Sequence, residues 1–190
     1  EGQRYMHDDG ATEEDFALAA VKAHKYGRLN PNALFQMEFT VEQVLSSPMV
    51  AYPLHLYNFC SPDDGAAAVV VCSRKVASKY TSQPITLGAS VMQTGEYPPT
   101  IHGPNFSVST RMEGKWVTPL AAQKAYEMAG IGPEDVDVAE IQDTASPQEL
   151  IHMEQVGLCK PGEAVRLLRE GQLEKGGKLP INPSGGLQCK

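Results

Sequence analysis

No two cysteines in this 190-residue chain are spaced C-x-x-C, and no histidines cluster at zinc-ligand spacing. Zinc ribbons and thioredoxin-like redox motifs are therefore excluded, and no metal is expected. The four cysteines, Cys60, Cys72, Cys159 and Cys189, read as reduced thiols of an intracellular, cytoplasmic protein, two of them buried as small hydrophobes. Lysine and arginine form no cluster and the net charge is −7. That balance argues against nucleic acid, which asks for a basic patch. The longest apolar run covers residues 66–72, far short of a membrane span. What remains is ordinary globular composition, 42% hydrophobic and 21% charged, in a chain long enough for a real core.

Local signals give an alternation of strands and helices. Thr12 and Asp15 form a T-x-x-D capping box before a helix whose face carries Phe16, Ala20, Ala23 and Gly27. Thr40 and Gln43 start a short second helix that Pro48 stops. Residues 66–72, "AAAVVVC", predict a strand buried on both faces, with a helix after it. A boundary falls near residues 81–84, beyond which Ile85, Leu87, Ala89 and Val91 alternate as a strand. Residues 93–117 are rich in Gly, Pro, Met, Ser and Thr, and loops of that length are commonly functional. A helix over 120–129 follows, then a strand ending at Ile141. Ser146 at the cap, Pro147 and Glu149 predict the next helix. Another helix over 163–170 and the strand "KLPIN" lead into the turn "PSGG". The fold class is α/β. In such folds ligands gather where strands end and helices begin, which is where Gln142, Asp143 and Thr144 stand.

Three blocks carry a resemblance. "VEQVLSSPMVAYPLHLYNFCSPDDGAAAVVVCS" is similar to the end of the first half of sterol-carrier-protein-X-type thiolases. "DVDVAEIQDTASPQELIHMEQVGLC" resembles their second-half segment V-x-E-x-H-D-C-F-[SA]-x-x-E-L-x-x-x-E-x-x-G-L-C. "GGKLPINPSGGLQCK" resembles their glycine-rich loop, which in the family runs on into Gly-His-Pro. The resemblance implies a thiolase-like layered α/β sandwich, with residues 1–80 as the later part of the N-terminal half, including a substrate-covering region. Residues 81–190 are implied to be most of the C-terminal half. It also implies that the nucleophilic Cys would lie before residue 1 and the catalytic His and second Cys after residue 190. None of the four cysteines matches a catalytic position, so a structural role is expected for each.

Within the resemblance Gln142 falls on the family's His, which is Asn in other thiolases. That side chain is implied to hold a water that hydrogen-bonds the thioester oxygen. Negative charge develops on that oxygen when a carbon–carbon bond beside it is made or broken, and one lost donor there costs about 3–4 kcal/mol of barrier. A Gln amide can donate but cannot titrate. Asp143 keeps the family's acid and is read as orienting a loop or a neighbouring donor. Asn182 is expected to tie the glycine-rich loop to its neighbours, and Gly185 and Gly186 to shape it. Tyr97 and His102, in the long loop, are candidates to touch substrate by location alone. His7 and His24 are expected at surfaces, and His152 is expected to be satisfied in packing.

The implied substrate is a coenzyme A thioester, with no tightly bound cofactor. "QDT" in place of "HDCF" resembles the thiolase-like lipid-transfer proteins of steroid side-chain degradation. Their implied chemistry is a CoA-independent retro-aldol cleavage beside an OB-fold, acyl-CoA-binding partner. Three readings stand: a thiolase-like acyltransferase, a retro-aldolase, and a protein that binds lipid thioesters without turnover. The family further implies homo-oligomers and, in a eukaryote, a peroxisomal location.

Overall fold

The computed structural model describes residues 1–94 and 117–190. Helix α1 (Gly2–Asp9) leads into α2 (Glu13–Gly27), around which the rest is assembled. The capping box of α2 is formed as the sequence predicts: the Asp15 amide donates to the Thr12 hydroxyl at 3.4 Å, and the Thr12 amide to the Asp15 carboxylate at 2.7 Å. That carboxylate also receives Arg169 through Nε at 2.6 Å and Nη2 at 2.7 Å. A planar two-bond pairing of this kind orients as well as attracts.

Small residues let α2 be buried nearly all round: Ala17, Ala19, Ala20, Ala23 and Gly27 are all enclosed. It packs against α3 (Val41–Ser46), α6 (Ser146–Gln155), α7 (Ala164–Arg169) and the 3-10 turn Leu187–Cys189. The main core joins Tyr5 and Phe16 to Leu150, Ile151, Met153, Leu168, Leu173 and Ile181. A two-stranded antiparallel hairpin, β1 (Met49–Ala51) and β2 (Leu54–His55), sits beside α3, and α4 (Arg74–Ala77) and α5 (Val117–Ala129) complete the described helices.

Four strand expectations are corrected. Residues 66–72 and 85–91 join no ladder among the described residues. Val69 is 87% and Val70 97% exposed, and Ile85 and Leu87 are exposed too. A strand exists by pairing its edges with neighbours, and these two apolar runs find no pairing partner among the described residues. The segment leading to Ile141 and the predicted strand "KLPIN" meet in a single parallel bridge among the described residues, Ala139 to Ile181. The capping of α6 also differs. Its cap is Ala145, whose amide donates to the side chain of Gln148 at 3.1 Å. Ser146 and Glu149, taken from the sequence as cap and capping partner, turn inward and are fully buried. His24 is buried rather than at the surface, and one of the four cysteines, Cys189, is buried rather than two, with Cys72 exposed.

Candidate active site

The turn 142–145 joins the bridge at Ala139 to the start of α6. Its first two side chains part company. Gln142 is exposed, its amide donating to the Thr144 hydroxyl at 3.3 Å. The Gln142 backbone carbonyl accepts from Nδ1 of His152 at 2.8 Å, which fixes the hydrogen of that ring on Nδ1. The Thr144 carbonyl accepts from the Cys60 amide at 2.9 Å.

Asp143 points inward and is completely buried. One carboxyl oxygen accepts from the Leu187 amide at 2.6 Å and the other from Gln188 at 3.4 Å. Burial, helped by the nearby Glu149 carboxyl, pushes its pKa up to about 7, against the pull of the Leu187 amide and of Lys22. The folded protein thus keeps a proton that the unfolded chain gives up near 3.8, so stability falls as pH rises through that window. Compared with Asp143→Asn, the native protein is expected to lose up to about 4 kcal/mol between pH 4 and pH 7. Denaturant titrations of both proteins across this range test it; parallel curves would refute the buried proton.

The glycine-rich loop closes on Asp143 from the other side. A Cβ on Gly186 would lie 2.2 Å from the Asp143 carboxylate, and one on Gly185 would lie 2.7 Å from the Gly27 backbone. Asn182, fully buried, adopts the left-handed conformation at φ 51°, which Asn tolerates better than most residues. Its amide donates to the Ala139 carbonyl at 2.9 Å, and its Oδ1 accepts from the Ile141 amide at 2.6 Å. Its Nδ2 donates to Glu149 at 3.1 Å. Ser184 binds Glu140 through its amide at 3.0 Å and its hydroxyl at 2.8 Å.

Beneath both loops lies an ion pair. Lys22 Nζ, on α2, stands 3.0 Å from both oxygens of Glu149 and donates to the Ile181 carbonyl at 2.7 Å. Both side chains are sealed, Lys22 being 2% exposed. Burial raises the Glu149 pKa, and Lys22 and Asn182 oppose that rise.

Structure therefore gathers Asp143, Asn182, Gly185 and Gly186 into one polar seam, with Gln142 on its outer edge. Tyr97 and His102 lie outside the described residues. Lys22 is the residue the sequence reading passed over, whereas Glu149 was read as a capping partner and His152 as satisfied in packing. The available signal was Lys22 itself, a charge on the stripe Ala19, Lys22, Ala23, Tyr26 that is otherwise apolar and buried.

One tempting pair can be set aside. Cys189 lies 3.5 Å from His24 Nδ1, both buried. Burial pushes the thiol up to about 12 and the imidazole down to about 4. The pair is thus neutral, the opposite of the thiolate–imidazolium couple of a nucleophilic cysteine.

Comparison with known proteins gives what the chain is similar to. Residues 104–190 match the thiolase C-terminal domain-like family. The benzoylsuccinyl-CoA thiolase subunit BbsB of Thauera aromatica is 40% identical over 97% of the chain and 46% of its own length. Sterol carrier protein 2 of Gallus gallus is 37% identical over all of the chain and 34% of its own length. Among solved structures, a chain of an Ltp2-ChsH2(DUF35) aldolase superimposes with a TM-score of 0.83 at 34% identity, over 97% of this chain and 48% of that one. The chain spans about half the length, or less, of the curated relatives it matches.

Proposed function

We propose that this chain, similar to a thiolase subunit over 97% of its length, serves carbon–carbon bond chemistry beside a coenzyme A thioester. The observation that carries the reading is Gln142. It is an exposed amide at the mouth of the turn that leads into α6, with its backbone held by His152 and the next residue locked inward. An amide so placed can donate, directly or through a water, to a thioester oxygen as that oxygen gains charge. Asp143 cannot reach such a substrate, because its carboxyl is buried and committed to Leu187 and Gln188. Its part is to set the loop. In thiolysis, a cysteine elsewhere in the protein would take the acyl group and free CoA would remove it.

A second reading is favoured by Gln142 itself, which stands where a His or Asn is the family's choice, and by the likeness to an aldolase chain. In that version a β-hydroxyl loses its proton, the carbon–carbon bond breaks, and its electron pair enters the thioester enolate, which is then protonated. No acyl-enzyme forms and no CoA is consumed. An OB-fold partner and a homo-oligomeric assembly belong with this reading.

The test uses the longest native form of the protein, offered a 3-ketoacyl-CoA and a β-hydroxyacyl-CoA, with free thiol followed alongside product. Cleavage with loss of free CoA is thiolysis; cleavage of the hydroxy substrate without it is the aldol route. Failure on both, with tight acyl-CoA binding, would leave a binding protein. In either active case Gln142→Ala is expected to lower kcat about 100-fold with little change in KM. An unchanged kcat would remove Gln142 from the site.

A further inference from the structure

The Lys22–Glu149 pair has no place in the chemistry above, yet it is sealed at the junction of every element that shapes the site. Buried ion pairs are weak devices for stability, since desolvation offsets most of the attraction and an apolar pair of like size serves as well. Their geometry is more informative. The turn 142–145 begins after Ile141 and ends at α6. Glu149 belongs to the helix leaving the turn, and the Ile141 amide belongs to the segment entering it. Asn182 bridges the two, accepting from Ile141 at 2.6 Å and donating to Glu149 at 3.1 Å. The same residue accepts from the Gly185 amide at 3.0 Å through its own carbonyl. Lys22 supplies the charge that lets Glu149 remain buried, and it also holds the Ile181 carbonyl next to Asn182.

We propose that Glu149 is a positioning residue which, through Asn182, clamps both flanks of the Gln142 turn and fixes its distance from the glycine-rich loop. This rests on the thioester reading for its catalytic consequence but not for its structural one. The clamp uses no residue of the turn itself, so the exposed Gln142 amide keeps a donor for substrate beside its bond to Thr144 while the backbone beneath it is held. Rate losses from small misplacements of this kind are known to be large for groups that must meet a reacting atom.

The experiment compares two double variants of the full-length protein. Lys22→Met with Glu149→Met removes both charges and the acceptor for Asn182, and Lys22→Met with Glu149→Gln removes the charges but keeps that acceptor. Both are expected to stay folded, because the two charges go together, and to melt below the native protein, because the buried Ile181 carbonyl loses its donor. The first is expected to lose about 10–100-fold in kcat with KM within about threefold. Its Ile141 amide is expected to exchange hydrogen faster. The second should recover the rate and the protection. Equal losses in both, or none in either, would overturn the clamp. Should the first variant not fold, Asn182→Gly removes the bridging side chain at a φ that glycine accepts, and the same losses are expected. If the native protein turns over neither thioester, the functional reading falls, and exchange at Ile141 still decides the clamp. Unchanged exchange in the Met/Met and Asn182→Gly variants would sink it.

Discussion

Replacing Lys22 alone by methionine is expected to lower stability by about 3–5 kcal/mol, because it leaves the Glu149 carboxylate buried without its cation. The alternative for that carboxyl is to take a proton, which its raised pKa already favours. The loss should therefore be larger at pH 8 than at pH 5. Chemical denaturation at the two pH values measures it, with the full-length protein as reference. The companion Glu149→Met change should restore most of the loss, so the two effects should be far from additive. A single variant as stable as the native protein would mean that the pair is hydrated, not sealed.

The second large effect is expected at Gly186. Its backbone, φ 62° and ψ −164°, lies in a region that residues with a Cβ scarcely occupy. The missing atom would fall 2.2 Å from a carboxylate that is itself held by Leu187. Gly186→Ala should cost about 3 kcal/mol or more, as backbone strain and displacement of Asp143 add. Gly130→Ala serves as the control. That glycine also has positive φ, 70°, but a Cβ there would meet nothing within 4 Å, and about 1–2 kcal/mol is expected. Similar losses at both positions in thermal or denaturant melts would show that the contact with Asp143 contributes nothing.

The candidate site was legible in sequence where its signals are local. "INPSGG" announced a constrained loop, and Asn182, Gly185 and Gly186 do have positive φ there. The pattern around Gln142 announced a turn before a helix, and α6 begins four residues later. Lys22 and Glu149 were hidden because their meeting is nonlocal: they are 127 positions apart. The strand–helix junction also offered a cheaper explanation for Glu149 as a capping partner, a role Gln148 takes instead. Residues 66–72 and 85–91 misled for the same reason. Period and composition describe what a segment can bury, whereas a strand depends on which neighbour pairs with it. His24 was misplaced because a histidine on a helix reads as polar, yet here Phe35 and Phe39 enclose its ring.

The close approach of α2 to the glycine-rich loop also turns one thiol into a clock. Cys189 is wedged against Gly27 and Gly185 with no exposed surface, whereas Cys72 is open to solvent. An alkylating reagent will mark Cys72 at once. It can reach Cys189 only when the loop lifts from the helix, so labelling mapped to Cys189, apart from the half-buried Cys60 and Cys159, counts those excursions where the reagent outpaces reclosing. Because Asp143 binds the backbone two residues before that thiol, the interval between excursions is also the time for which the floor of the site stays shut.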